Sequence, residues 1–314
     1  MALTVEQISA VSYPAVLAEM RKGANQWAEN AALRTLEKMG FIQHVSLGEN
    51  IETPLDYRSN PDTAVLAADQ DVASLVKTEV ISSAVYDIAQ INVPVTWTKG
   101  DEAKNPSETQ KIALVKTLLE NGINSHDDLL EQRIFASSTA GGIEINGLND
   151  LISTAGTGTV GGINSSTETW WKNQFDTFID GSDMEAAMTE LFDNCAKGSG
   201  EVNAPTFLLS GSASHALYES QLQSMQRFVD TNEADSGFKT LAFKGAKYMF
   251  SHRGSDLVYF LNPKNYKLVV SSSYFRDKGD TQQVNGQNAF YFLIYSALQY
   301  VVTNRWRLGV LDQV

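Results

Sequence analysis

A glycine-dense stretch between Gly141 and Trp171 constrains the fold of this chain more than any other part of its sequence. It is rich in hydroxyl side chains, almost free of basic residues, and ends in the adjacent tryptophans Trp170 and Trp171. Glycine permits positive φ angles and close backbone approach at an entropic cost, so this run suits an irregular segment with demanding geometry. The stretch predicts a crossover that divides a helical and extended first half from a β-rich second half.

Gly156, Gly158 and Gly161 spell the GxGxxG pattern of dinucleotide-binding loops within this crossover. That pattern binds a pyrophosphate where a buried strand precedes it and a helix follows it. Residues 148–154 are too polar and too few for a buried parallel strand, and Ile163 is followed by turn-forming residues. The context favours a structural crossover, and a nucleotide-dependent enzyme that uses Gly156–Gly161 stays as an alternative.

The composition is that of a globular protein with a real core: 314 residues, 43% hydrophobic and 19% charged. The formal net charge is −13, and the lysines and arginines are dispersed. Nucleic-acid binding through phosphate contacts normally shows a basic patch, so the charge argues against direct wrapping of DNA, although not against enclosing it. No apolar run approaches the ~18 residues that a membrane span requires, so we expect no membrane partner.

The residue types that carry chemistry are few and scattered. The histidines His44, His126, His215 and His252 do not stand at metal-ligand spacing, and the single cysteine, Cys195, cannot complete a zinc site or an intrachain disulfide. We therefore expect no catalytic residues, no cofactor and no metal, and a protein that is not an enzyme.

The first part of the chain alternates between helix and extended structure. Residues 4–39 predict a helix that ends at Gly40. Residues 41–98 predict a long two-stranded arm with a polar tip, and Pro94 predicts an edge strand. Because residues 50–75 contain few bulky apolar side chains, we expect them to contribute little to the core of their own subunit and to clamp a neighbouring one.

The remaining elements follow in a mixed order. Residues 105–137 predict a long helix, kinked or divided at Asn121-Gly122. Beyond the crossover, Ser182 and Glu185 predict the cap of another helix, and several short β runs follow. Residues 253–256 predict a hairpin turn. Such a mixture of helices and strands indicates an α+β protein.

Two segments resemble the major capsid proteins of tailed bacteriophages of the Hong Kong 97 type. One is Gly147-Leu-Asn149 followed by residues 158–163 and the tryptophan pair, and the other runs from Leu298 to Val310. The second resembles the closing strand pair of that family. The resemblance implies an α+β Hong Kong 97-like fold with an N-terminal helical arm (1–40), an extended β-hairpin loop (41–98), a peripheral domain with a long spine helix (99–150 and 286–314) and an axial domain (151–285).

The resemblance also implies a function and a set of partners. It implies a virion protein, assembled in the host cytoplasm through pentamers and hexamers into an icosahedral shell around double-stranded DNA, without sequence-specific DNA binding. It further implies a separate scaffolding protein, a portal and a possible decoration protein. An encapsulin nanocompartment, similar in fold, is the related alternative. The subunit contacts expected from the resemblance are Leu55, Asp56, Tyr57, Arg58, Asp69, Lys77, Lys99, Asp101, Arg133, Arg305 and Arg307.

Overall fold

The computed structural model of the chain describes residues 30–63, 78–105, 107–137, 143–197, 203–222 and 241–314. Its helices are α1 (Ala31–Lys38), α2 (Lys99–Lys104), α3 (Glu108–Phe135), α4 (Leu148–Leu151), α5 (Gly181–Ala196) and α6 (Ser212–Leu222), with 3-10 turns at Thr169–Trp171 and Arg305–Arg307. Its strands are β1 (Ile42–Val45), β2 (Asn50–Asp56), β3 (Ile81–Asp87), β4 (Ala89–Thr98), β5 (Thr159–Val160), β6 (Ile163–Asn164), β7 (Gln174–Phe178), β8 (Phe207–Ser210), β9 (Leu241–Phe243), β10 (Ala246–Phe250), β11 (Val258–Leu261), β12 (Tyr266–Ser271), β13 (Asp277–Lys278), β14 (Gln282–Gln283), β15 (Ala289–Val302) and β16 (Gly309–Gln313).

The first sheet is built around the long strand β15. Strands β12, β13 and β14 pair with β15 antiparallel, β4 pairs with it antiparallel over the whole length of β4, and β1 lies parallel to β12. Among the strands that the structure describes, β15 is the only one that pairs with β4, so β4 lies at an edge of the described sheet, as Pro94 predicts.

Helix α3 packs across β4 and is continuous, so the predicted division at Asn121-Gly122 is wrong. A Cβ at position 122 would lie 2.8 Å from Val95 Cγ2 and 3.1 Å from Ile294 Cδ1. Gly122 therefore allows close contact between helix and sheet instead of ending the helix. Local sequence cannot distinguish these two uses of glycine, because the strand that approaches Gly122 lies far away in the sequence.

The second sheet has the strand order β7-β16-β11-β8-β10-β9 and is covered by α5 and α6. The predicted hairpin turn at 253–256 is wrong, because β10 and β11 lie on opposite sides of β8. The connection instead crosses the end of β8, where the Gly211 amide donates to Ser255 O at 2.8 Å. Helix α5 is capped by Asp180, whose side chain accepts the amide of Ser182, and Ser182 lies inside the helix.

One chain segment joins the two sheets. Strand β15 belongs to the first sheet, the turn Arg305–Arg307 redirects the chain, and β16 pairs with β11 and β7 in the second sheet. The last two extended segments are therefore not a strand pair with each other. Strand β12 lies in the first sheet and β16 in the second, so both cross the segment boundaries expected for a peripheral and an axial domain.

Helix α1 falls within the last part of the predicted amino-terminal helix. Residues 4–29 of the predicted helix lie outside the described residues. Helix α1 ends at Lys38, and Gly40 follows with a φ of 81°, which is that of a helix-terminating glycine. Ala32, Leu33 and Leu36 are buried on one face of α1. That face joins the main core, to which both sheets and helices α3 and α4 contribute.

Candidate intersubunit surface at the arm and the crossover

The crossover contains a tight hairpin formed by β5 and β6. Gly161 and Gly162 connect the two strands with φ angles of 60° and 78°, and Gly156 and Gly158 are also left-handed, at 66° and 103°. Such angles are strained for other residues, so the glycines serve the backbone geometry. A hairpin thus stands where a dinucleotide-binding loop needs a helix, and the short helix α4 precedes Gly156 in place of a buried strand.

Arg305 holds the crossover together from inside the protein. Its side chain is fully buried, Nε donates to Leu151 O at 2.8 Å, and Nη2 donates to Thr157 O at 3.0 Å. A third, longer contact of 3.5 Å joins Nη1 to Trp171 O. Burial lowers the pKa of Arg305 to about 10, which leaves the guanidinium charged at neutral pH. The cation therefore binds backbone carbonyls from the middle and from the end of the crossover.

The two-stranded arm β2–β3 lies on this crossover. The Val85 amide donates to Gly161 O at 3.0 Å, and a Cβ at Gly161 would lie 2.7 Å from Ala84 Cβ. Tyr86 Oη donates to Val302 O at 3.0 Å, which ties the arm to the end of β15 as well. Burial raises the pKa of Tyr86 far above its ordinary value, so this hydroxyl stays a donor.

The inner face of the arm belongs to the core of its own subunit. Ile51 and Leu55 on β2 are 9% and 5% exposed and join the main core cluster. The expectation that residues 50–75 contribute little to this core is therefore wrong for β2. It failed because an arm can be covered by a distant part of its own chain as well as by a neighbour.

The outer face of the arm is exposed and combines acidic and apolar side chains. Alternation along the two strands places on it Glu52, Pro54, Asp56, Ile81, Ser83 and Val85. Ile81 is 69% exposed and Val85 is 37% exposed. The arm thus has one face available for contact with another molecule.

An aromatic contact fixes the end of the arm beside a cleft. The Tyr57 ring stacks on Trp170 with 4.6 Å between the ring centroids, and Arg58 Nε donates to Glu79 O at 3.0 Å. The adjoining cleft has a volume of about 290 Å³, and its lining includes Pro54, Trp170 and Trp306. Trp170 thus connects the arm to the crossover.

The residues expected to form subunit contacts have different environments. Leu55 and Arg305 are buried inside the subunit, so their side chains cannot reach another one, and this expectation is corrected. Asp56 and Arg58 are exposed and Tyr57 is half-buried at the end of the arm, whereas Asp69 and Lys77 lie outside the described residues.

Four further expected contact residues lie away from the end of the arm. Lys99 lies 5.8 Å from the Phe290 ring centroid, and Asp101 accepts the Thr98 amide at the start of α2. Arg133 pairs with Glu144 at 3.1 Å, and Arg307 donates to Lys197 O at 3.3 Å beyond the end of α5. The structure therefore does not gather these residues into a single site.

Gln299 is a buried glutamine outside the predicted site residues, and it joins the arm to the segment between α3 and α4. Gln299 Nε2 donates to Asp87 O and Glu144 O, both at 2.9 Å, while Oε1 accepts the amides of Asn146 and Tyr300. The signal for Gln299 in the sequence is its place within an apolar strand, because a buried polar side chain needs hydrogen-bond partners.

The residues with possible chemistry do not form a reactive site in the described part of the chain. Burial raises the pKa of the Cys195 thiol far above its ordinary range, so the thiol stays protonated. His126 lies 3.1 Å from Asp127 inside the protein. Among the described residues, no cluster of histidine, cysteine or carboxylate side chains has the composition to hold a metal. None of the described helices combines the length and the apolarity needed to cross a membrane.

Solved structures of shell proteins share this fold, although no protein-family model and no curated protein matches the sequence. The cyanophage A-1(L) capsid asymmetric unit is similar with a TM-score of 0.64 and 16% identity, over 93% of this chain and 95% of that one. The capsid of Myoviridae phage XM1 is similar with a TM-score of 0.56 and 9% identity, over 94% and 95% of the two chains.

An encapsulin is also similar in structure. The holo-SrpI encapsulin complex from Synechococcus elongatus matches with a TM-score of 0.55 and 12% identity, over 95% of both chains. The similarities extend over nearly the whole chain, and the predicted α+β, Hong Kong 97-like fold class is confirmed.

Proposed function

We propose that this protein is a major capsid protein whose copies assemble into an icosahedral shell around double-stranded DNA. The observation that carries the proposal is the similarity of nearly the entire chain, in fold, to the capsid proteins of two phages. A fold by itself does not establish a function. The net charge of −13 agrees with a wall that encloses DNA without binding it through its phosphates.

In this proposal the shell is built from pentamers and hexamers in which subunits contact one another head to tail, as closed rings require. The contacts involve the outer face of the arm together with Asp56, Tyr57, Arg58, Asp69, Lys77, Lys99, Asp101, Arg133 and Arg307. The proposed segments are the N-terminal arm (1–40), the extended loop (41–98), the peripheral domain (99–150 with 286–314) and the axial domain (151–285). Strands β12 and β16 are exceptions, because β12 lies in the sheet of β15 and β16 lies in the sheet of β7.

The proposal includes the other components of a phage head. A separate scaffolding protein directs assembly in the host cytoplasm, a portal occupies one vertex, and a decoration protein is a possible further partner. The mature location is the virion, and the role is structural and not enzymatic.

Assembly of the purified protein tests the proposal. We expect closed particles or ring-shaped capsomers by negative-stain electron microscopy and by sedimentation velocity, for the protein alone or expressed with its scaffolding protein. A protein that stays monomeric in every assembly condition, scaffolding protein included, contradicts the proposal.

A pair of variants tests the outer face of the arm. Replacing Ile81 and Val85 with serine removes exposed apolar side chains, so we expect an unchanged melting temperature and loss of closed particles. Ile179→Ser, at a site that is 72% exposed and away from the arm, is the matched control. Normal particles from the arm variant show that this face is not a subunit contact.

The encapsulin similarity supports a second candidate, a protein shell that holds cargo protein. The contents of particles purified from their native host separate the two. The capsid proposal predicts nuclease-protected double-stranded DNA, whereas a nanocompartment predicts a co-purifying cargo protein and no protected DNA.

A further inference from the structure

A buried carboxylate lies where the amino-terminal helix meets the long helix and both sheets. Glu131 on α3 is 1% exposed. Its Oε2 accepts the Leu33 amide of α1 at 3.3 Å, and its Oε1 accepts the Ser251 hydroxyl, just beyond β10, at 3.2 Å. The first-turn amides of a helix lack partners within that helix and attract negative charge, so Glu131 caps α1 from a different element.

Few charges compensate this carboxylate. Arg253, in the connection after β10, attracts it from a distance, but the Arg253 guanidinium also binds Asp128 on α3. Asp127, one turn before Glu131, pairs with Arg276 at 2.7 Å. Glu131 therefore has backbone and hydroxyl donors around it, and no cation in direct contact among those that the structure shows.

Strand β15 adds an aromatic hydroxyl near Glu131. Tyr300 on β15 is affected by the charge of Glu131, and its ring stacks on Tyr266 of β12 at 5.5 Å. Burial keeps both phenols protonated at neutral pH. The charged side chains of α1 are half-buried or exposed, and they are Arg34, Glu37 and Lys38.

Desolvation of this carboxylate opposes its ionisation. Burial raises the pKa of Glu131 from 4.5 to about 7, and the hydrogen bonds and Arg253 offset only part of this effect. The packed state therefore binds a proton more tightly than a state in which water reaches the carboxyl. The stability that this proton gives to the packed state is fully present below pH 4.5, and it is lost as the pH rises through about 7.

We propose that Glu131 is a proton-binding site that makes the packing of helix α1 against helix α3 dependent on pH. With the proton bound, the neutral carboxyl is buried at low cost and α1 stays in place. When the proton leaves, hydration of the carboxylate favours local opening. We expect α1 to be the element that opens, because it is small and its Leu33 amide donates to this carboxylate. The inference does not depend on the proposed shell, because it concerns contacts within one subunit.

Hydrogen exchange of the full-length chain tests the inference. Protection factors for residues 31–38, corrected for the intrinsic pH dependence of exchange, are measured by mass spectrometry from pH 5 to pH 8. The pKa of Glu131 is 4.5 when water reaches the carboxyl and about 7 when it is buried. This difference limits the change in the equilibrium constant for opening of α1 to about 300-fold. Over this pH range we expect a loss of protection on the order of 10- to 100-fold in the wild type.

Two variants separate Glu131 from other titrating groups. Glu131→Gln keeps an acceptor oxygen but cannot ionise, so we expect protection of residues 31–38 that does not change with pH. Glu120→Gln on the same helix is the matched control and should behave like the wild type. The four histidines are present in all these proteins, so their contribution cancels in the comparison.

Equal pH dependence in the wild type and Glu131→Gln overturns the inference. If Glu131→Gln does not fold, Ser251→Ala takes its place. That change removes a hydrogen bond that favours the ionised carboxyl, so the midpoint of the pH transition should move upward. An unchanged or lower midpoint in Ser251→Ala also contradicts the inference.

Discussion

Replacement of Arg305 should destabilise the protein more than its position near the end of the chain indicates. Arg305→Ala removes two hydrogen bonds of 2.8 and 3.0 Å from a buried cation to backbone carbonyls. Each such bond contributes about 1.5–3 kcal/mol to stability. Part of this loss is offset, because the variant no longer has to remove a cation from water when it folds. We expect a net loss of about 3–4 kcal/mol in the free energy of unfolding.

The corresponding thermal shift follows from the length of the chain. At about 2.1 cal/mol/K per residue, the unfolding entropy of 314 residues is about 0.7 kcal/mol/K, so the melting temperature should fall by about 5 °C. Arg305→Lys should recover less than half of the loss, because an ammonium group cannot reproduce the planar fork that reaches Leu151 and Thr157 together.

Calorimetry and chemical unfolding measure these changes, and hydrogen exchange locates them. Exchange should increase first in residues 152–171, the second part of the crossover. Arg307→Ala is the matched control: its guanidinium contacts Lys197 O at 3.3 Å on the surface, so we expect a loss below about 1 kcal/mol. A loss below about 1 kcal/mol in Arg305→Ala, or equal losses in the two variants, refutes the clamping role.

Three further substitutions have defined outcomes. Leu55→Ala removes a core side chain of the arm and should cost about 2–4 kcal/mol by chemical unfolding; a loss near zero would show that the arm is not packed on its own subunit. Gly161→Ala should cost more than Gly162→Ala, because both have positive φ but only the first meets the arm, and equal melting temperatures would deny that contact. Gly122→Leu should cost about 1–3 kcal/mol through overpacking against Val95, and a gain in stability would show that helix propensity outweighs the contact.

The sequence alone determined the local elements whose signals lie within a few residues. Gly40 follows the end of α1 with a positive φ, Pro94 lies on an edge strand of the described sheet, and four glycines between Gly156 and Gly162 have positive φ angles within the crossover. These outcomes follow from allowed backbone angles and missing donors, which depend on the residue itself and its immediate neighbours. The resemblance of two segments to a capsid family also predicted the fold class.

The tertiary structure decided which distant residues meet. The sequence did not show that β10 and β11 flank β8, or that β15 and β16 belong to different sheets, since strand order depends on pairings between distant segments. It also did not show that Leu55 and Arg305 point into the subunit. Alternation marks which side chains share a face of a strand, but what covers that face is decided elsewhere in the chain.

Gly122 and Glu131 show the same limit on one helix. A glycine after an asparagine and a glutamate near apolar residues have ordinary surface interpretations in sequence. Gly122 is a contact point because Val95 packs against it. Glu131 is buried because α1, Ser251 and the two sheets pack around it. The sequence determined where most helices and strands form. Long-range packing determined which of their residues are buried, which form close contacts and which charges lose their water.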